Sequence, residues 1–79
     1  MHVMFYTKPG CLLCEETELM MQLLQEDYSL TWTNVNIEED DTIHEKFMFN
    51  IPVIEKDGEV LLSGNFSVDD LVSVLKSNV

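Results

Sequence analysis

The chain has 79 residues, the length of one small domain. It carries 15 acidic residues against four lysines, for a formal net charge of −11, and 46% of its residues are hydrophobic. The hydrophobic content is normal for a globular chain, whereas the charge argues against nucleic acid and against an anionic membrane surface as partners. No stretch is apolar for long enough to be a membrane span or a signal peptide, so we expect a cytoplasmic protein. We also expect a monomer.

The first half of the chain predicts a strand, a helix and a second strand. His2–Thr7 is short and apolar, and Pro9 with Gly10 ends it, which is typical of a buried strand. Residues 12–26 have apolar side chains at three- and four-residue spacing between acids, which indicates an amphipathic helix. Its apolar positions are Leu12, Leu19, Met20, Leu23 and Leu24. Residues 30–37 alternate and are rich in β-branched and aromatic side chains, which favours a strand.

An acidic run precedes the second predicted helix. Residues 38–41 are all acidic and favour a solvated turn at the start of a helix. Thr42 followed by Glu45 resembles a capping box, in which each residue bonds the other's backbone N–H. We expect Phe47 and Phe49 to lie in the core.

The last third of the chain predicts a β-hairpin and a final helix. Two strand segments, residues 51–55 and Glu59–Ser63, flank an Asp-Gly turn signal. Ser67 and Asp70 form a second capping box, and the helix that follows has one apolar stripe. The stripe consists of Val68, Leu71, Val72 and Leu75. The order βαβαββα predicts a mixed sheet, because a strand–helix–strand unit is parallel and a hairpin is antiparallel.

Cys11 and Cys14 are the residues best suited to chemistry. They follow a predicted strand and open a helix, which is the setting of a thioredoxin-like redox motif. Unpaired N–H groups at a helix start stabilise a thiolate, and a spacing of three places the second sulfur one turn further on. The second sulfur can then attack a mixed disulfide at the first. The pair therefore predicts dithiol–disulfide exchange, since so short a loop stabilises a fold little.

Two other functions remain open for this cysteine pair. Two thiolates make half of a tetrahedral zinc site, so two chains could share a zinc ion or an iron–sulfur cluster. His2 and His44 are isolated from the cysteines in sequence, and we assign no metal ligand. The other hypothesis is a redox-inert adapter that uses the fold only for binding.

The segment YTKPGCLLC, residues 6–14, resembles the active-site segment of glutaredoxins. The Ile-Pro-Val at 51–53, the following Asp-Gly and then Gly64 match that family's proline loop, hairpin and glycine turn. The resemblance covers essentially the whole chain, residues 1–79, as a single domain. It implies an α/β thioredoxin fold with a four-stranded mixed sheet in the order 2-1-3-4 and helices on both faces.

The resemblance also implies roles for individual residues. Cys11 would be the nucleophile, Cys14 the resolving thiol, and Pro52 a cis proline that faces the two cysteines. Lys8 matches a basic residue that lies near the glutathione carboxylate in glutaredoxins. Gly64 stands in the substrate-binding glycine turn, where glutaredoxins have two glycines.

Two further residues complete the predicted substrate site. The backbone of Ile51 would align a substrate as an added strand, and Phe66 would lie at the rim of the substrate groove. We expect no tightly bound cofactor, and the partner is a disulfide-containing protein or glutathione. Both residues between the cysteines are leucine, where glutaredoxins commonly have Tyr or Phe. The electron donor is therefore left open between glutathione, as a co-substrate, and thioredoxin reductase.

Overall fold

The computed structural model describes residues 1–77 and contains the predicted alternation of strands and helices. The strands are β1 (His2–Thr7), β2 (Thr31–Asn36), β3 (Val53–Lys56) and β4 (Glu59–Ser63). The helices are α1 (Leu12–Leu24), α2 (Asp41–Phe47) and α3 (Val68–Ser77), with a 3-10 turn at Ile37–Glu39. No helix within residues 1–77 is long and apolar enough to cross a membrane.

The sheet has the order β2-β1-β3-β4, as predicted. β1 pairs with β2 in parallel and with β3 in antiparallel orientation, and β3 and β4 form the antiparallel hairpin. Thr7 at the end of β1 lies opposite Asn36 at the end of β2, and Tyr6 lies opposite Val53 at the start of β3. The loops that follow β1 and β2 and the loop that precedes β3 therefore meet at one edge of the sheet, called the loop edge below.

Side chains on both faces of the central strand β1 are buried, because successive residues of a strand point to opposite faces. Val3 and Phe5 join a cluster with residues of α1 and α3 on one face. Tyr6 joins a second cluster, with Phe47 of α2, on the other face. Helices therefore cover both faces of the sheet, which confirms the predicted α/β thioredoxin architecture.

The two predicted capping boxes had different outcomes. At α3 the box is confirmed: the Ser67 N–H donates to Asp70 Oδ2 at 3.0 Å, and the Asp70 N–H donates to Ser67 Oγ at 3.1 Å. At α2 the Thr42 box is wrong, because Asp40 is the N-cap and accepts from the Ile43 N–H at 3.0 Å. Asp is a better N-cap than Thr, so the helix begins earlier.

Element boundaries differ from the predictions by two residues at most. α1 ends at Leu24 instead of residue 26, and β2 loses one residue at each end of the predicted range 30–37. β3 begins at Val53, two residues later than predicted. Pro52 has no N–H to donate to a neighbouring strand, so the ladder begins after it.

The apolar face predicted for α1 is wrong. Its buried residues are Cys14, Thr17 and Met21. Three of the predicted apolar positions are exposed instead: Leu12 by 67%, Leu19 by 61% and Leu23 by 80%. Periodicity locates apolar positions on a helix, but it does not state which of two apolar stripes faces the sheet.

Phe49 is also exposed, by 88%, whereas Phe47 is buried as predicted. α2 ends at Phe47, and successive side chains around a helical turn point about 100° apart, so residues two positions apart face nearly opposite ways. The same residue type two positions later therefore points away from the core.

Candidate redox site

The loop from β1 to α1 places Cys11 at the start of a helix. Pro9 has a fixed φ, and Gly10 has a φ of +77°, the left-handed region that a type II turn requires at its third residue. A Cβ on Gly10 would meet no atom within 4 Å, so a side chain would not clash with its neighbours. Glycine is favoured here because of the positive φ of the backbone. The turn directs the chain from the sheet into α1, whose N-cap is Cys11.

Cys11 and Cys14 form a disulfide across the first turn of α1, with their Cα atoms 5.2 Å apart. The Cys14 N–H donates to Cys11 Sγ at 3.1 Å, so the sulfur occupies the position of a capping acceptor. In the reduced protein the same N–H would stabilise a negative charge on Cys11.

The two sulfurs differ in accessibility. Cys14 is 4% exposed and belongs to the buried face of α1, whereas Cys11 is half-buried at the start of the helix. A large partner can therefore approach Cys11 but not Cys14. This asymmetry matches the roles of attacking and resolving thiol that the resemblance to glutaredoxins implies.

The proline loop lies at the same loop edge. The Ile51–Pro52 peptide bond is cis, the configuration that the resemblance implies, and Pro52 is buried. Because Val53 pairs with Tyr6, the loop lies beside the end of β1, where the chain turns toward Cys11. Ile51 is half-buried and packs against the cluster that contains Phe47.

Gly64, which directly follows β4, is hydrogen-bonded to the proline loop. Its N–H donates both to the Asn50 carbonyl at 2.8 Å and to the Pro52 carbonyl at 2.9 Å. Its φ of +71° is in the left-handed region, which favours glycine. The predicted glycine turn therefore contacts the loop that holds Ile51 and Pro52.

Lys8 and Phe66, the remaining predicted site residues, have different surroundings. Lys8 is exposed in the turn that leads to Cys11. Phe66 is half-buried and packs against the core cluster of α1 and α3, and its role at a groove rim stays a prediction. Phe49, expected in the core, is the exposed aromatic side chain of the proline loop. Phe49 lies beyond the end of α2 and next to Asn50 in the sequence, and this position could have identified it as a residue of the proline loop and not of the core.

Acidic side chains dominate the charge of the loop edge. Glu15 lies exposed in the first turn of α1, and Glu38 and Glu39 follow the end of β2 at the same edge. Within residues 1–77 no group of three or more His, Cys, Asp or Glu side chains is placed to hold a metal ion.

Tyr6 anchors the end of β1 under the site. Its ring packs against Phe47 with centroids 4.7 Å apart, and its hydroxyl donates to Glu55 Oε1 at 3.0 Å. Burial raises the pKa of Tyr6 above 10.0, and the hydrogen bond to Glu55 and the charge of that carboxylate raise it further. The hydroxyl therefore stays protonated at neutral pH and holds β1 against β3.

A comparison with protein-family models finds a match of residues 2–76 to the glutaredoxin-like domain (DUF836). Among solved structures, a structural-genomics target protein from X. campestris superposes with a TM-score of 0.82 at 17% identity, over 95% of this chain and 96% of that one. Thioredoxin 1 from Thermosipho africanus superposes with a TM-score of 0.71 at 13% identity, over 99% and 93%. Oxidised thioredoxin O2 from Arabidopsis thaliana superposes with a TM-score of 0.67 at 22% identity, over 96% and 72%. At these identities the solved structures establish a shared thioredoxin fold.

Proposed function

This chain belongs to the glutaredoxin-like domain family (DUF836), and we propose that it is a cytoplasmic dithiol–disulfide oxidoreductase that reduces disulfides. The observation that carries the proposal is the asymmetry of the cysteine pair at the start of α1. Cys11 is accessible and its sulfur accepts a backbone N–H, whereas Cys14 is buried one turn further on.

The reaction begins with the reduced protein. The Cys11 thiolate attacks one sulfur of the substrate disulfide, the substrate S–S bond breaks, and the departing thiolate takes a proton from water. Cys14 then loses its proton and attacks Cys11 Sγ, which releases the second substrate thiol and leaves the Cys11–Cys14 disulfide. Two electrons pass from the protein dithiol to the substrate, and the Cys11–Cys14 disulfide of the structure supports the proposal because it is the oxidised product that this reaction would leave.

The proline loop would position the substrate. An extended substrate segment could pair with the backbone of Ile51, as a strand added beside the proline loop. The Gly64 N–H donates hydrogen bonds to the carbonyls of Asn50 and Pro52, and these bonds stabilise the conformation of the proline loop. Lys8, exposed beside Cys11, is the cation that would meet an anionic group such as the glutathione carboxylate.

The oxidised protein needs an electron donor to complete the cycle. The two candidates are glutathione, which enters as a thiol, and thioredoxin reductase, which acts as a dithiol protein with NADPH. Both donors would begin by attacking Cys11 Sγ, because Cys11 is the more accessible of the two cysteines.

A coupled assay tests the function and identifies the donor together. Oxidised protein is mixed with 2-hydroxyethyl disulfide and NADPH, with either glutathione plus glutathione reductase or thioredoxin reductase alone. We expect NADPH consumption that depends on the protein with one donor, and none with Cys11→Ser. Cys14→Ser is the matched control, since it preserves the attacking thiol. If the wild-type protein stays inactive with both donors and, after reduction by dithiothreitol, reduces no substrate disulfide, the proposal is wrong.

A further inference from the structure

The outer face of α1 carries a row of exposed leucines, called the outer stripe here and defined as Leu12, Leu19 and Leu23. Each is more than 60% exposed in the structure. They lie opposite the buried face of the same helix, which consists of Cys14, Thr17 and Met21. Burial of the helix against the sheet therefore does not explain these three leucines.

The outer stripe is straight and begins at the redox site. At about 100° per residue, positions 12, 19 and 23 fall within an arc of about 40°. At about 1.5 Å per residue, the stripe runs roughly 16 Å along the helix. Leu12 directly follows Cys11, the N-cap of α1, so the stripe begins at the end of the helix where Cys11 lies.

Acidic groups edge the outer stripe. Glu15 and Glu16 lie between Leu12 and Leu19 on the exposed side of α1, and the last turn of the helix has no basic residue. The surface is thus an apolar line bordered by carboxylates. A binding partner that complements the outer stripe would have an apolar surface bordered by Lys or Arg. Opposite charges around the edge of an interface favour association and orient the two molecules.

Charge and size both argue against a second copy of this chain as the occupant. Two copies would each bring a net charge of −11 to the contact, with carboxylates facing carboxylates. Three leucines also expose far less surface than the roughly 800 Å² per partner of a stable complex. Small interfaces of this kind are typical of transient redox encounters.

We propose that the outer stripe docks the disulfide-containing protein that the redox site reduces, through an apolar surface of that partner bordered by basic residues. This inference rests on the proposed function and names its substrate class. A partner seated along the stripe would have its disulfide at the Cys11 end. A small disulfide such as oxidised glutathione is too short to span the stripe and would gain nothing from Leu19 or Leu23.

The test compares three disulfide probes with the reduced protein. One is 2-hydroxyethyl disulfide, which is small and neutral. The other two are amphipathic helical peptides with a disulfide at one end, one built of Leu and Lys and the other of Leu and Glu. The variants are Leu19→Gln/Leu23→Gln, which leaves the net charge unchanged, and Val60→Gln as the control at an exposed apolar residue of β4. Circular dichroism confirms that each variant is folded.

We expect the wild-type protein to reduce the Leu/Lys peptide fastest, at a rate that falls as salt is added. The double substitution should lower that rate by about tenfold, the loss of a small docking contact, and leave 2-hydroxyethyl disulfide unaffected. Val60→Gln should change neither rate. Equal rates for the two peptides, or a Leu/Lys rate that the double substitution does not change, would overturn the docking proposal.

Failure of the proposed function has a different signature. A wild-type protein that, in its reduced form, reduces neither 2-hydroxyethyl disulfide nor either peptide lacks the activity itself. Sedimentation of the wild-type protein without peptide tests the remaining occupant. A dimer that Leu19→Gln/Leu23→Gln dissociates would assign the stripe to a second copy and overturn the proposal.

Discussion

The inner and outer faces of α1 have similar apolar content and opposite surroundings. The inner face places Met21 at 0% exposure in the core, whereas the outer face leaves Leu23, two residues later, 80% exposed. Two positions along a helix correspond to a rotation of about 200°, so neighbours in sequence lie on opposite sides. The comparison shows that the apolar pattern of a helix does not by itself determine which of its apolar residues the core buries.

The first prediction compares the contributions of the two faces of α1 to stability. Met21→Ala should lower the free energy of unfolding by about 2–5 kcal/mol, because it leaves a cavity between α1 and the sheet. Leu23→Ala, the matched control, should change it by no more than about 0.5 kcal/mol. Urea denaturation of both variants measures the difference. Equal losses of unfolding free energy in the two variants would mean that the outer face of α1 is packed like the inner face, and the two faces would then not differ.

The second prediction extends the contrast to a polar atom on the other face of the sheet. Tyr6→Phe removes the hydroxyl that bonds Glu55 and should lower the free energy of unfolding by about 1 kcal/mol at neutral pH. The folded-state pKa of Tyr6 is raised above 10.0, so its contribution is full below pH 10.0 and is lost as pH rises through that higher value.

The gap between wild-type and Tyr6→Phe proteins should therefore narrow in alkaline solution. Urea denaturation of both proteins at neutral pH and above pH 10.0 measures it. A gap that widens with pH would mean that the phenolate is the form that the fold favours.

The third prediction concerns the smallest effect and asks whether the outer face contributes to folding at all. Leu19→Lys should raise the free energy of unfolding by about 0.2–0.5 kcal/mol, because the new ammonium lies four residues after Glu15 on the helix. Leu19→Gln is the neutral control and should leave stability nearly unchanged. A loss above about 1 kcal/mol for both variants would show that Leu19 is packed against the protein.

Much of the fold follows from local patterns. The order of elements, the hairpin turn and the Ser67 cap each depend on residues that are close in sequence, and each was predicted from them. The sheet order and the cis bond at Pro52 came from the resemblance to glutaredoxins, because no local pattern specifies which strands become neighbours.

The errors arise where the choice depends on distant residues. The orientation of α1 is set by how Met21 packs against β1 and α3, and the sequence of α1 alone offers a second apolar stripe. The prediction of a core position for Phe49 is wrong for a similar reason, since its exposure depends on where α2 ends. At the redox site, the cysteine spacing predicted the motif, but the bonds from Gly64 to the proline loop required the folded chain.

Brief alkylation of the reduced, folded wild-type protein tests the central claim, that Cys11 is the reactive sulfur, most directly. Iodoacetamide reacts with accessible thiolates, and mass mapping of the peptides locates the label. Because Cys11 is accessible at the start of α1 and Cys14 is 4% exposed, we predict label on Cys11 and little on Cys14 until the protein is unfolded. Preferential labelling of Cys14 in the folded protein would contradict the account.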